Sequence, residues 1–411
     1  MSQRVLLLLP TTTYKAQDFL AAAEQLGVDV TVGTDRRQAL DRLVPGQNLV
    51  LDFPQPENSL KRILEAHRLT PFRAVLGVDD ETTVLAAIAG AALGLPHNPE
   101  SAARAARDKY QTRRMMAAAG MRVPTFHRVS LESAPAEVAA RVAFPCVLKP
   151  LGLSASRGVL RADNRDEFVR AFRTIAAILR QDDVRRKGSD TAHLLVEDYL
   201  PGAEIAVEAL LERGRLRVLA WFDKPDPLEG PTFEETIYVT PSRLSASVRS
   251  HIAKVVSDGC AALGLREGPV HSELRLPEGE PWLLEIAART IGGLCSRALR
   301  FGTGITLEEL ILRHALGQTA LPARERLAAG VMMIPIPGAG VLREIRGLDD
   351  ARAVSLVQSV TLSVHRGARL VPLPEGDRYA GFIFARGETA KEVEQALRAA
   401  HGCLVFDYLA G

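Results

Sequence analysis

Glu273 and Glu285 are the residues whose spacing first suggests chemistry. His271, Glu273 and Arg275 alternate with Ser272, Leu274 and Leu276, the period-two pattern of a strand. After Pro277-Glu278-Gly279-Glu280-Pro281, Leu283, Glu285, Ala287 and Arg289 alternate with Trp282, Leu284 and Ile286. A loop with an odd number of residues, such as 277–281, places Glu273 opposite Glu285 in an antiparallel pair. Opposed Cβ atoms lie about 4.5–5.5 Å apart, where like charges repel. A cation removes that penalty, and Mg²⁺ prefers one or two carboxylates completed by substrate phosphates. A solvated hairpin with surface glutamates would show the same alternation. Against it, Leu283-Leu284-Glu285-Ile286-Ala287-Ala288 surrounds a carboxylate with apolar neighbours, a costly place to leave it unpaired. Arg289 and the Gly292-Gly293 backbone follow and could serve an oxyanion.

Elsewhere, several segments suit a nucleotide. Phe144-Pro145-Cys146-Val147-Leu148-Lys149-Pro150 reads as a short buried strand ending in a lysine. A small-residue loop with Gly152, Ser154, Ser156 and Gly158 follows, and such residues let backbone amides approach phosphate oxygens. GxxxxGK[ST] is absent, so this is not a Walker loop, and a flexible hairpin loop is the plain alternative. Glu197-Asp198-Tyr199-Leu200 ends a strand at Pro201-Gly202, and Glu204 opens its continuation. An interrupted strand leaves main-chain groups that suit an adenine edge, and Glu204 could accept from ribose hydroxyls. Of 51 basic residues only eight are lysines, so Lys109, Lys149 and Lys224 stand out against 43 arginines. A lone helical lysine such as Lys109 is more often a solvated one.

These segments need a scaffold. A chain of 411 residues can form two or three packed units. Residues 1–106 alternate strands and helices, which implies a parallel α/β sheet covered on both faces. No GxGxxG follows the first strand; Thr11–Thr13 and Asp79 sit at strand ends, where open sheets bind ligands and where simple turns also occur. Residues 107–325 carry the candidate site, and 326–411 read as a small α+β unit. A net charge of +2 gives no case for nucleic acid or a membrane surface, and no apolar run approaches about 20 residues. Four scattered cysteines without a CxxC pair point to a reducing cytoplasm. Cys295, beside the candidate site, is a buried packing thiol or a pocket wall.

Taken in order, these features resemble the ATP-grasp superfamily of carboxylate–amine ligases, and most closely its dipeptide-forming L-amino acid ligase branch. The resemblance rests on Lys109, Val147-Leu148-Lys149-Pro150, loop 152–158, Glu197-Asp198-Tyr199-Leu200 with Glu204, and Glu273 with Leu284-Glu285-Ile286-Ala287-Ala288-Arg289. It implies an N-terminal parallel α/β domain, then two α+β lobes with ATP between them, then a small C-terminal α+β subdomain. Adenine would meet the backbone around Asp198, Tyr199 and Leu200, with Glu197 at its exocyclic amine and Glu204 at the ribose. Lys109, Lys149 and Lys224 would reach phosphates beneath a lid formed by 152–158. Glu273 and Glu285 would hold Mg²⁺, for which Mn²⁺ could substitute. Many members carry an asparagine two residues after the second glutamate; here it is Ala287, which leaves one or two ions open. Arg289, Gly292 and Gly293 would stabilise the oxyanion. The implied partners are a small carboxylate and an amine, both amino acids by this resemblance, and a homodimer is common among relatives. A purine-pathway ligase, a biotin-carboxylase type and a non-catalytic nucleotide-binding module are the alternatives.

Overall fold

A computed structural model describes residues 3–36, 48–186, 188–318 and 322–409. The first unit is a parallel sheet in the order Asn48–Val50, Asp29–Thr34, Arg4–Leu8, Ala74–Gly77. Val5–Leu8 of strand Arg4–Leu8 is an unbroken apolar, buried run because both faces are covered. Leu6 and Leu8 pack with Leu51, Ile63 and Leu85, whereas Val5 and Leu7 pack with Phe19 and Ala22. The strand ends carry Thr11–Thr13, Asp79 and Asp80 to the wall of a large cavity.

Next comes a four-stranded antiparallel sheet, ordered Phe126–Ser130, His193–Asp198, Cys146–Pro150, Leu160–Ala162. Helix Arg165–Leu179 covers one face with Phe168, Phe172, Ile175 and Ile178. Asn164 starts that helix by accepting the Glu167 amide at 3.0 Å.

An eight-stranded antiparallel sheet forms the opposite wall. Its order is Trp282–Ala287, Gly268–Leu276, Ala203–Glu212, Arg215–Lys224, Ile237–Thr240, Ala328–Ile334, Gly381–Gly387, Val357–Leu362. Pairing of Ile237–Thr240 with Ala328–Ile334 carries the sheet across residue 325, so three C-terminal strands share it with the glutamate hairpin, while Arg369–Leu370, Gly340–Arg346 and Val405–Tyr408 form a separate three-stranded sheet. Helix Ala246–Leu263 backs the hairpin end, and helix Ala390–Gly402 the other. Among the described residues, no helix is long and apolar enough to cross a membrane.

The hairpin corrects one expectation. Glu273 does lie opposite Glu285, but Leu274 pairs with Leu283 and Arg275 with Trp282, so the register shifts between them. Leu284 is the extra residue of a bulge, which re-aims side chains. Strict alternation would put Leu283 and Glu285 on one face. Instead Leu283 and Ile286 both enter the core against helix Ala246–Leu263, while Leu284 and Glu285 line the cavity. The bulge, rather than the length of the turn, sets the carboxylates opposite one another.

Gly202 fixes the bend between His193–Asp198 and Ala203–Glu212. Its φ is +98°, and an added Cβ would stand 2.6 Å from the Leu276 carbonyl oxygen. Gly202→Ala is expected to cost about 2–4 kcal/mol through backbone strain and overlap. Urea unfolding measures this; an unchanged midpoint would show that the bend tolerates a side chain.

Candidate active site

The cavity between the two antiparallel sheets measures about 830 Å³. Its floor is one face of four adjacent strands, because residues two apart share a face. On Ala203–Glu212 that face carries Glu204 and Glu208; on Gly268–Leu276 it carries His271, Glu273 and Arg275. Register pairs Glu204 with Arg275 and Glu208 with His271, and it also pairs Lys224 with Glu204. On the reverse face Ile205, Val207, Leu274 and Leu276 pack beneath helix Ala246–Leu263.

Burial forces these charges to pair. Lys224, only 3 % exposed, donates to Glu204 at 2.7 Å, lies 3.1 Å from Glu273 and also bonds Glu235. The Tyr238 hydroxyl donates to Glu235 at 2.8 Å. Burial opposes the charge on Lys224, yet the three carboxylates raise its pKa well above that of an ordinary lysine. Burial also opposes ionisation of Glu273, but Lys224 and His271 hold it well below the carboxylate range. Glu235 moves the other way, pushed up by burial and by the Glu273 charge.

His271 has a carboxylate at each ring nitrogen: Glu208 at Nδ1 and Glu273 at Nε2, the latter 3.3 Å away. Two acceptors require two donors, so the imidazolium is the form that fits. Burial opposes it, but the Glu208 charge outweighs burial and raises the pKa to about 9. Glu208 also accepts the Ile291 amide at 3.1 Å, which ties the loop after the hairpin to the floor.

The other wall brings Lys149 and Glu197 in from the smaller sheet. Glu197 is buried between Arg113, whose Nε donates at 2.8 Å, and Lys149. Burial opposes its charge, but these cations lower the Glu197 pKa to about 2. Lys149 falls below the ordinary lysine range because burial, with the repulsion of the nearby Arg113 charge, outweighs the pull of Glu197. Arg113 also donates to the Leu284 carbonyl at 2.9 Å, linking this wall to the bulge. Lys109 donates to the Leu153 carbonyl at 2.7 Å and stands 3.7 Å from Glu285, so it spans loop and hairpin.

Of the expected site residues, Lys109, Lys149, Ser154, Ser156, Glu197, Asp198, Tyr199, Leu200, Glu204, Glu273, Glu285, Arg289, Gly292 and Gly293 line this cavity. Gly152 lines a small adjoining recess with Lys109 and Glu285, and Gly158 lies behind the loop against Pro150. Lys224 lies in the floor beneath its carboxylates. Main-chain groups expected to be unpaired at the strand break are partly used. The Asp198 amide donates to the Thr125 carbonyl and the Tyr199 amide to that of Pro145, while the Leu200 carbonyl accepts from Arg275 at 2.7 Å. The loop is clamped from the C-terminal unit: the Gly158 amide donates to the Pro374 carbonyl at 2.9 Å, and Arg157 Nε to that of Glu375 at 2.9 Å.

Sequence reasoning missed Lys15, Asp80, Arg113, Glu208 and Glu235. Lys15 was one of only eight lysines, and Arg113 lies one helical turn beyond Lys109. Glu208 shares the period-two face of Glu204. Asp80 carried no comparable signal, since its partner Arg289 lies far along the chain, and Glu235 sits in an irregular acidic segment whose period shows no face.

The donor set fits a hard divalent cation. Glu273 and Glu285 are cross-strand neighbours whose carboxylates line the cavity, whereas the oxygens of Glu204, Glu235 and Glu273 that lie within 4.8 Å of one another surround the Lys224 ammonium.

Comparison with known proteins is consistent with this geometry. Residues 142–298 match the ATP-grasp domain, 20–97 the ATP-grasp N-terminal domain and 332–408 the L-amino acid ligase C-terminal domain 2. Carnosine synthase 1 of Gallus gallus is 31 % identical over 73 % of this chain and 34 % of its own length. Alanine–anticapsin ligase of Bacillus subtilis is 26 % identical over 54 % of this chain and 49 % of its own. The chain thus aligns with about a third to a half of these two relatives. The L-amino acid ligase of Bacillus licheniformis superposes over 100 % of this chain and 99 % of its own, with a TM-score of 0.82 and 26 % identity.

The His271–Glu208 pair sets a pH dependence. A histidine whose pKa is raised by folding contributes stability below about pH 6.5 and loses it as pH rises through about 9. Glu208→Gln is expected to lower the His271 pKa and remove about 2–3 kcal/mol of that pH-dependent stability. NMR titration of His271 and urea unfolding at pH 6 and pH 10 test this; an unmoved pKa contradicts the pairing.

Proposed function

We propose that this chain, which belongs to the ATP-grasp superfamily, is an ATP- and Mg²⁺-dependent ligase that joins the carboxylate of one amino acid to the amine of another. The observation that carries this reading is a single cavity lined by Lys109, Lys149, Glu273, Glu285 and Arg289. A full-length structural likeness to an L-amino acid ligase supports the substrate class.

In this reading, Lys109 and Lys149 meet the phosphates of ATP, while loop 152–158 covers them. Asp198, Tyr199 and Leu200 border the base, with Glu197 towards its exocyclic amine and Glu204 towards the ribose. Glu273 and Glu285 would hold Mg²⁺, which when bound supplies charge neutralisation of the phosphates. One oxygen of the substrate carboxylate attacks the γ-phosphorus, the bond to the β-phosphate oxygen breaks, and ADP leaves. The amine nitrogen of the second substrate then attacks the acyl carbon. The carbon–oxygen bond to phosphate breaks, phosphate leaves, and the nitrogen gives up a proton. Arg289 and the amides of Gly292 and Gly293 stabilise the oxyanion of the tetrahedral species, a role in which fixed donors act without reorganising.

The reading is tested by ATP-dependent phosphate release against single and paired amino acids, with bicarbonate included and products weighed by mass spectrometry. Amino-acid-dependent release with a new amide is expected; release with bicarbonate alone would favour carboxylase-type chemistry. Glu285→Ala should abolish ATP turnover in a folded protein, and near-normal kinetics would remove it from the metal site. Arg289→Ala should lower kcat about 10²–10³-fold while ATP affinity stays within a few-fold. A loss confined to ATP binding would move Arg289 to the phosphates.

A further inference from the structure

Most of the Arg289 guanidinium is already committed within the protein. Its Nε and Nη2 donate to one carboxylate oxygen of Asp80, at 3.1 and 2.9 Å. Nη1 donates to the Thr290 carbonyl at 2.9 Å. A guanidinium has five N–H groups, so one remains on each Nη nitrogen. Arg289 is buried yet lines the cavity, so those two are the donors it can offer a ligand.

Asp80 comes from a different unit. It begins helix Asp80–Leu93, directly beyond strand Ala74–Gly77 of the N-terminal sheet. A second tie lies beside it. Lys15, 1 % exposed, is 3.2 Å from Asp79 and donates to the Val78 carbonyl at 3.3 Å. It also donates to the Thr290 carbonyl at 3.4 Å and the Thr290 hydroxyl at 3.2 Å. The ends of the N-terminal strands thus grip Arg289 and Thr290 together.

We infer that Asp80 is a positioning residue for the ligase reaction, holding the Arg289 guanidinium in the orientation in which its free N–H groups meet the oxyanion. The inference rests on the reading of Arg289 given above. An untethered arginine has rotamer freedom to lose, and a displacement near 1 Å can cost ~10²-fold in rate. The charges of Lys15 and Arg107 also act on Asp80, while those of Glu285 and Asp79 act on Arg289. Burial opposes the charge on Asp80, and Arg289 nevertheless lowers its pKa below the ordinary carboxylate range, so the tether persists at neutral pH. This gives the N-terminal unit a task in the reaction beyond its own packing.

The test uses the full chain with Asp80→Asn, Asp80→Glu, Arg289→Ala and the double variant Asp80→Asn/Arg289→Ala. Amide formation gives kcat and KM, calorimetry gives ATP affinity, and circular dichroism checks folding. Asp80→Asn is expected to lower kcat ~10²-fold with ATP affinity within about threefold, and Asp80→Glu to recover part of that rate. The double variant should be no slower than Arg289→Ala alone, since a positioning residue has no effect once its client is gone. A wild-type rate in Asp80→Asn, or losses that multiply in the double variant, would overturn the inference. If Asp80→Asn does not fold, Asp80→Glu decides: a reduced kcat with unchanged ATP affinity supports positioning, and an unchanged kcat overturns it. Silence of the wild-type enzyme across all amino-acid pairs would overturn the ligase reading itself, an outcome separate from an active wild type with an equally fast variant.

Discussion

Charge balance on one face of a buried sheet is the constraint on which the site depends. Glu204, Glu208, Glu235 and Glu273 are taken out of water within a few ångströms of Lys224, His271 and Arg275. Desolvation of each ion costs several kcal/mol and is recovered only with good geometry and further hydrogen bonds. Each cation here serves two or more acceptors: Lys224 three carboxylates, His271 two, and Arg275 both Glu204 and the Leu200 carbonyl. Sharing keeps Glu273 ionised, the state in which its oxygens can ligate a cation. It also makes the floor rigid, because no side chain can turn away without exposing another charge.

The surrounding architecture keeps that floor in place. On its reverse face, apolar side chains anchor the strands to helix Ala246–Leu263, and the bulge at Leu284 sends Glu285 to the cavity without taking Ile286 from the core. Arg113 connects Glu197 on the opposite wall with the Leu284 carbonyl, so both sheets share one buried arginine. The N-terminal unit closes the remaining side through Asp80 and Lys15. The C-terminal unit reaches the small-residue loop through Pro374 and Glu375. All three regions therefore touch the cavity, although its charged floor lies on one sheet.

Much of this was legible because period and composition are local properties. Continuous apolar runs marked the buried parallel strands, and alternation marked the strands of Glu273 and Glu285. Scarcity of lysine drew attention to Lys109, Lys149 and Lys224. What escaped depends on register between distant segments. Alternation could not reveal that Leu284 bulges, since the bulge is set by packing against a helix. Nor could it show that Glu197 is held by Arg113, or that Arg289 meets Asp80 from the first domain. Nor does a strand carry a mark of which sheet it joins: Ala328–Ile334, Gly381–Gly387 and Val357–Leu362 extend the sheet of the glutamate hairpin, while Gly340–Arg346, Arg369–Leu370 and Val405–Tyr408 form one of their own. Lys15 belongs with those lysines, since it too lines the cavity.

In the proposed reaction a carboxylate becomes an acylphosphate before an amine displaces phosphate. The most direct measurement labels the carboxylate of the acid substrate with ¹⁸O and follows the label into phosphate and amide. One ¹⁸O is expected in each released phosphate and one in the amide carbonyl. Phosphate that carries no label, with its fourth oxygen drawn from water, would mean that ATP is hydrolysed without activating the acid, and would contradict the proposed reaction.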